Sequence, residues 1–414
     1  MEDLIPRHAE PFAKEVMETF PATVIQGARQ VGKSTFAAQL VSGTRARIVT
    51  LDDESTRLAA RAEPVAFVEQ GGAGTLVIDE LQRAPELLLA IKASIDRDRR
   101  PGRFVLTGSS NLLKLSRTPD SLAGRAVTVE LRPLSVGEAQ GRRDDIISSL
   151  RRGADPADFS TTNARQESIR LVACGGYPEA RRLSERMRNV WFDGYVERLL
   201  DRDVKDIAPR VDSGRIGSVL RLLAANQSGE LVKARIARDV DVPETSITAY
   251  VDLLQTMYLT SMLRPWTPNL TSREAARPKT IVSDSGLAAR LTRTPERQLE
   301  PLGNPFLGAA LEGFVVAELM KQRTWSSEEY ELFHFRDRNG AEVDIVVELA
   351  DGSVIGFEVK ASSTLKAEHL SGLRLLRDKL GERFLGGYVL NTAEAGASMG
   401  DRLWALPIPA LWLI

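Results

Sequence analysis

Residues 24–35 read VIQGARQVGKST, and the reading of this stretch decides the fold. An apolar run ends at Gly27, four residues follow, and Gly32, Lys33 and Ser34 complete the spacing G-x-x-x-x-G-K-[ST] of a phosphate-binding loop. Such a loop needs a strand behind it and a helix ahead. Residues 22–25 are rich in β-favouring types and residues 34–41 (STFAAQLV) have apolar positions at helical spacing, so both flanks agree. A glycine-rich turn with a chance lysine is the competing reading, and the two flanks speak against it. Gly27, Ala28, Arg29, Gln30, Val31, Gly32, Lys33, Ser34 and Thr35 are the expected cradle, because backbone N–H groups and the following helix N-terminus bind phosphates. Lys33 is expected on the β and γ phosphates and Ser34 on a magnesium ion.

The residues downstream supply the rest of a nucleotide site in order. Residues 47–53 (RIVTLDD) read as a second strand ending in two acids. Residues 76–80, Leu-Val-Ile-Asp-Glu after Gly71 and Gly72, have the pattern of a buried parallel strand whose polar end reaches the carboxyl edge of an open sheet. Asp79 there suits the magnesium shell, and Glu80 can orient or deprotonate an attacking water. A further strand at 103–107 (RFVLT) runs into Gly108, Ser109, Ser110 and Asn111. These small polar residues either reach the γ phosphate or merely cap a turn, and the sequence leaves the two readings even. Then SLAGR at 121–125 precedes a strand at 126–131.

These motifs, in this order, resemble an AAA+ ATPase core. More narrowly, GARQVGKST, LTGSSN, LAGRAVTVELRPLS and CGGYPEA resemble a prokaryotic group of AAA+ ATPases with a C-terminal domain of poorly defined function, the AAA_14 plus DUF4143 architecture. The resemblance covers nearly the whole chain. It implies ATP hydrolysis with Mg2+, Lys33 and Ser34 on nucleotide and metal, Asp79 and Glu80 as the acidic pair, and Asn111 or Ser110 as the sensor. Arg125 takes the place of the family's arginine finger, acting from a neighbouring subunit and so implying a homo-oligomer. A guanidinium aimed at the γ phosphate neutralises charge that grows during transfer, roughly 10³ to 10⁵ in rate.

Composition bounds the partners. The chain has 414 residues, 43% of them hydrophobic, and a formal net charge of −1, so no global field draws it to nucleic acid or to an anionic membrane. Its one cysteine, Cys174, fits a reducing compartment, and three dispersed histidines argue against a histidine-rich zinc site. No apolar stretch approaches the ~20 residues of a membrane span, and the N-terminus lacks the pattern of a signal peptide. The expectation is a soluble, cytoplasmic protein.

Along the chain, residues 1–20 read as an amphipathic N-terminal helix and 21–134 as the ATPase core. Residues 135–212 alternate charged and apolar positions at helical spacing, as expected of a lid over the nucleotide, with a turn at Gly175, Gly176, Tyr177 and Pro178. Within 213–300, three helical patterns and a strand-like SMLRPW suggest a winged helix. Its charge is unsuited to reading DNA: residues 210–264 carry seven Lys or Arg against six Asp or Glu, and the third helix contains Glu244 and Asp252 with no basic residue. Arg264, Arg273, Arg277 and Lys279, in or near the wing, keep backbone contact open.

The last segment, 301–414, contains a second constellation. Asp344 lies in one strand pattern and Glu358 and Lys360 in the next, on one face because they are two residues apart; Glu312 lies on a preceding helix. This order resembles the PD-(D/E)XK nuclease fold. It implies that Asp344 and Glu358 hold Mg2+, that Glu312 assists, and that Lys360 helps activate water. Cross-strand ion pairs and a binding scaffold are the competing readings, and eleven basic against sixteen acidic residues oppose a bare DNA backbone. The expected fold is therefore α/β: a P-loop AAA+ core, helical lid, winged helix and nuclease-like α/β domain. The expected function is ATP hydrolysis that controls metal-dependent cleavage of DNA or RNA, or else an ATP-dependent switch that binds DNA or a protein partner without cleaving it.

Overall fold

Five short runs in the first third of the chain become strands: β1 (Ala22–Gln26), β2 (Ala46–Thr50), β3 (Thr75–Asp79), β4 (Phe104–Gly108) and β5 (Ala126–Glu130). They belong to a computed structural model that describes residues 4–109, 122–209, 211–269, 273, 276–338 and 340–414. The chain divides into two units, Met1–Leu134 with Gln255–Leu259, and Ser135–Leu254 with Thr260–Ile414.

In the first unit the strands form one parallel sheet in the order β2-β3-β4-β1-β5. Parallel pairing fits the connections, since β1, β2 and β3 are each separated from the next strand by at least one helix. β1 is buried at all five positions, and Val24, Ile78, Phe104 and Leu106 pack with Leu87, Leu88, Ile91 and Ile95 of the helix Leu87–Arg97. Each such side chain contributes about 1.5–3 kcal/mol on burial. The N-terminal helix is Glu10–Thr19, shorter than the expected 1–20, with a proline in its first turn, where no N–H is needed. β2 ends at Thr50, and the acids after it serve locally: Asp52 pairs with Arg83, and Asp53 caps the helix Glu54–Ala62 by accepting the Thr56 N–H at 2.7 Å.

The second unit is built on an eight-stranded mixed sheet. Its strands are β6 (Thr260–Pro265), β7 (Lys279–Val282), β8 (Tyr330–Arg336), β9 (Glu342–Leu349), β10 (Val354–Val359), β11 (Phe384–Asn391), β12 (Ala397–Gly400) and β13 (Leu403–Pro407), in the order β12-β13-β11-β10-β9-β8-β6-β7. The helix Pro305–Gln322 packs with Ile345, Val347, Ile355 and Phe357 in one apolar cluster, and the helix Ser371–Leu380 with Val343, Val346, Val354 and Val389 in another. Alternation sends Ile345, Val346 and Val347 of β9, and Val354 and Ile355 of β10, to the two clusters in turn, while Val343 joins the second cluster across the register shift that β9 makes against β8.

Three segments expected to be separate share this unit. Val136, Ile146 and Ile169 from 135–212, Leu263 and Ile281 from 213–300, and Leu311, Phe314 and Ile345 from 301–414 belong to one continuous core. The segment expected as a lid is joined to the C-terminal residues by buried polar bonds: the Val136 N–H donates to Glu318 at 2.9 Å, the Ile146 N–H to Gln322 at 3.0 Å, and the Trp325 indole N–H to the Asp144 carbonyl at 2.6 Å. The helices Ser213–Ala225, Lys233–Asp239 and Glu244–Thr256 precede the β6–β7 hairpin in the expected order, but β6 also pairs with β8, so the hairpin continues the C-terminal sheet. The CGGYPEA motif serves packing: a Cβ on Gly175 would lie 2.3 Å from Asp284 Oδ1, and Asp284 accepts the Gly176 N–H at 2.6 Å. Among the described residues no helix is long and apolar enough to cross a membrane.

Close packing in the second unit makes a direct prediction. Gly372 lies where the helix Ser371–Leu380 meets β9, and a Cβ there would sit 1.7 Å from the Glu342 carbonyl oxygen. Gly372→Ala is expected to lower unfolding free energy by about 1–3 kcal/mol, the range for overpacking. Urea denaturation measures it, and an unchanged midpoint would show that this helix can shift freely.

Candidate functional site

The phosphate loop leaves β1 at Gln26 and turns under steric constraint. A Cβ on Gly27 would lie 2.0 Å from the Leu131 carbonyl oxygen, so only glycine fits where the backbone passes the residue after β5. Gln30 (φ 61°) and Gly32 (φ 93°) take left-handed conformations, and a Cβ on Gly32 would meet nothing within 4 Å. Alternating left-handed and right-handed residues in a loop turn N–H groups toward a common concavity of the kind that holds phosphate oxygens. The helix Lys33–Leu40 starts directly after Gly32. The buried Lys33 ammonium donates to the Ala28 carbonyl at 2.8 Å, spanning the loop from its far side.

At the carboxyl edge of the sheet the acids meet the loop. Ser34 Oγ donates to Asp79 Oδ1 at 2.7 Å, Thr107 Oγ1 donates to the same oxygen at 2.6 Å, and Thr50 Oγ1 reaches Asp79 Oδ2 at 3.4 Å. Glu80 takes a left-handed backbone conformation (φ 58°), and its N–H donates to Thr107 Oγ1 at 3.1 Å. Its carboxylate accepts from the Gln82 amide, which also donates to Ser109 Oγ at 2.8 Å. A non-glycine residue held at positive φ stores of order 1–3 kcal/mol of strain, which here aims Glu80 away from the path of β3. These hydroxyls and carboxylates are oxygen donors of the kind Mg2+ takes, and the open loop suits a triphosphate.

Several contributors were not legible beforehand. Thr107 ends an apolar strand pattern and gave no sign beyond that. Arg7, buried and far from the motif, donates to the Val31 carbonyl at 2.9 Å and the Arg132 carbonyl at 2.7 Å, fixing the loop against the strand end beyond β5. Tyr258, in the turn 255–259 that packs into this unit, donates to the Gln26 side chain at 2.8 Å. Ser110 and Asn111 lie outside the described residues.

Arg125 stands at the other edge of the sheet. It precedes Ala126, which pairs with Ala22 at the start of β1, whereas the loop follows the end of β1. Five residues of strand, roughly 17 Å at about 3.3 Å per residue, separate the two levels. Its guanidinium is gripped by Asp96 at 2.7 and 3.0 Å and by the Ala123 carbonyl at 3.1 Å. The hydrogen bond between them raises the Arg125 pKa and lowers that of Asp96.

In the second unit the four expected residues do converge. The β9–β10 ladder is paired as far as Ile345 and Phe357, and beyond it side chains replace the backbone partners. The Val359 N–H donates to Asp344 Oδ2 at 2.9 Å, and the Asp344 N–H points at Glu358 Oε2 at 3.4 Å. Lys360 Nζ lies 2.5 Å from Glu358 Oε1 and 4.0 Å from Asp344 Oδ2. Glu312 comes in from its helix and meets a residue not anticipated there: Lys279 of β7, whose Nζ lies 2.7 Å from Glu312 Oε1 and 3.6 Å from Asp344 Oδ1. Burial, then the Asp344 charge, pushes the Glu312 carboxyl up to about 8, against the pull of Lys279. Burial and Asp344 likewise raise Glu358. Burial lowers the Lys279 pKa, but Glu312 and Asp344 outweigh it and the net shift is upward.

As it stands, this cluster does not fit a divalent ion. Two ammonium groups occupy the positions facing the carboxylates, and among the described residues no group of three His, Cys, Asp or Glu side chains is arranged to hold a metal. Two of the four basic residues expected to reach nucleic acid from the wing are also committed internally. Lys279 is in the cluster, and Arg273 is buried against Trp266 and Phe333 with a two-pronged bond to Glu348 at 2.6 and 3.0 Å. A lysine at the head of the β-favouring run KTIV was the sign the sequence offered.

Comparison with known proteins finds three family models along the chain. The model of an AAA domain family (AAA_14) matches residues 19–140, a domain of unknown function (DUF8612) residues 165–298, and another (DUF4143) residues 307–411. Uncharacterized proteins of Mycobacterium bovis and Mycobacterium tuberculosis are each 31% identical over 358 residues, covering 86% of this chain and 74% of theirs. Among solved structures, a Walker-type ATPase of Pyrococcus abyssi is similar over 70% of this chain and 96% of its own, at 16% identity and a TM-score of 0.44. A signal-transduction ATPase of Pyrococcus horikoshii with a tetratricopeptide-repeat sensor is similar over 76% of this chain and 46% of its own, at 13% identity and a TM-score of 0.29. With a phosphate loop on a parallel α/β sheet, and family models matched from residue 19 to residue 411, the chain belongs to the family that joins an AAA-type P-loop ATPase domain (AAA_14) to a DUF4143 domain.

Proposed function

We propose that the chain binds ATP at the phosphate loop and hydrolyses it, using the nucleotide cycle as a switch. The observation that carries this reading is the convergence of the Ser34 and Thr107 hydroxyls on one Asp79 oxygen beside the loop that Lys33 spans. The loop N–H groups and Lys33 bind and orient the β and γ phosphates. Ser34 and Asp79 would hold the magnesium ion, whose chemistry is to neutralise charge on the phosphates. Glu80 orients the attacking water and accepts its proton, Gln82 and Ser109 setting the carboxylate's position. Asn111 or Ser110 serves as the sensor of the γ phosphate.

Arg125 acts on a neighbouring copy, in a homo-oligomer. Its distance in register from its own loop supports action in trans, and Asp96 holds the guanidinium pre-shaped while no neighbour engages it. A protein partner is the favoured target of the switch. The helix Glu244–Thr256 exposes Glu244, Thr248 and Asp252 and has no basic residue, a surface that phosphate groups would repel.

Lys33→Ala is expected to lose nucleotide binding or turnover, whereas Glu80→Gln keeps binding and loses turnover; normal hydrolysis by folded Lys33→Ala protein would defeat the assignment. Thr107→Val removes one hydroxyl that serves both Asp79 and Glu80, and turnover should fall about 10- to 100-fold with ATP affinity nearly unchanged, the mark of an interaction made chiefly in the transition state. Arg125→Ala should lose turnover and regain it when mixed with Lys33→Ala subunits, each supplying what the other lacks; absence of rescue in co-assembled mixtures would sink action in trans. Fluorescence anisotropy with duplex DNA across a salt series should show no affinity even at low salt. A steep salt-dependent affinity would point to nucleic acid instead.

A further inference from the structure

The acid cluster of the second unit has its cation already, and the cation is part of the chain. Glu312, Asp344 and Glu358 come from three elements, and each carboxylate has an oxygen turned to a lysine ammonium. Asp344 is the shared member: its Oδ1 faces Lys279 at 3.6 Å and its Oδ2 faces Lys360 at 4.0 Å. We infer that Lys279 is a resident substitute for a divalent metal, bridging Glu312 and Asp344 as an ion would, so that this nuclease-like cluster binds no metal and serves as an internal clamp.

Lys279 is held at both backbone edges. It pairs with Leu263 of β6 on one side and bridges to Glu230 on the other. Its neighbours are fixed as well: the Leu231 N–H donates to the Pro278 carbonyl at 2.9 Å, the Ser228 N–H to the Thr280 carbonyl at 2.9 Å, and the Thr280 N–H to the Gly229 carbonyl at 3.0 Å. Moving the ammonium aside by moving its strand would break both edges. The side chain itself is 11% exposed, which leaves it little room to swing into solvent.

The chemistry of an ammonium differs from that of a metal in the way that matters for cleavage. It donates hydrogen bonds but has no open coordination position, so it cannot hold a phosphate oxygen and an activated water together. What it can do is satisfy buried carboxylates, which would otherwise demand protonation or a partner. In this chain the bridge joins the β6–β7 hairpin to the helix Pro305–Gln322 and to β9. The cluster therefore fixes the wing-like hairpin to the C-terminal sheet. The inference stands independently of ATP hydrolysis, which is read from other residues.

Manganese binding by the full-length protein without nucleotide, followed by electron paramagnetic resonance, tests it. Wild-type protein is expected to show no binding that depends on Asp344, tested against Asp344→Asn, up to roughly 1 mM metal, the weak end for oxygen-ligand sites. Lys279→Ala and Lys279→Gln should each gain one bound manganese per chain, lost again on adding Asp344→Asn. Asp344-dependent binding by the wild type, within threefold of the variants' affinity, would overturn the inference. Folded variants that gain no site would overturn it too. If neither variant folds, the wild type still decides: bound manganese that needs Asp344 refutes it, and none, with collapse on loss of the ammonium, supports a clamp.

Discussion

The contact of Ser34 Oγ with Asp79 Oδ1, 2.7 Å long, organises the first unit. It ties the start of the helix after the loop to the end of β3, across β4, whose Thr107 hydroxyl bonds the same oxygen. A parallel sheet is what permits it, because only parallel strands bring several carboxyl ends to one edge, where open α/β sheets place their ligands. Gly27 completes the constraint. With the Leu131 carbonyl 2.0 Å from where a Cβ would stand, any larger residue would push the loop off the strand end beyond β5, and Arg7 and Tyr258 secure it from other directions.

The second unit depends on a different economy of charge. Its interior holds Glu318 with Lys321, and Glu312, Asp344 and Glu358 with Lys279 and Lys360. Buried ions are tolerated only with partners, and removing one partner strands the other. Glu318 with Lys321 and Glu358 with Lys360 are local pairs, whereas Lys279 of β7 reaches Glu312 and Asp344 from a separate segment and so ties the β6–β7 hairpin to the C-terminal sheet. The Glu318 carboxylate does the same for the segment after residue 135 by accepting the Val136 N–H. The contrast between the units is functional: the first presents its carboxylates at an open edge, and the second encloses them.

Local patterns carried the first unit's reading far. The spacing of Gly27, Gly32, Lys33 and Ser34, and the apolar run into Asp79 and Glu80, are properties of contiguous residues, and chemistry that needs contiguous residues can be read from order alone. The convergence of Asp344, Glu358 and Lys360 was also legible, since period-two alternation and a hairpin turn place them on one face. That residues from 135–212, 213–300 and 301–414 share one core was not legible, because a helical or strand pattern says which face is apolar without saying what covers it.

By itself, then, the amino-acid sequence determined the strand-loop-helix with its phosphate loop, the acids at the end of β3, and the three acids and one lysine of the C-terminal motif. Only the tertiary structure decided that Arg125 stands across the sheet from its own loop, that Thr107 and Arg7 brace the site, and that Lys279 completes the acid cluster. The reason is physical: sequence spacing fixes neighbours within an element, whereas the groups facing a buried charge come from chain segments tens to hundreds of residues away, brought there by the packing of whole elements.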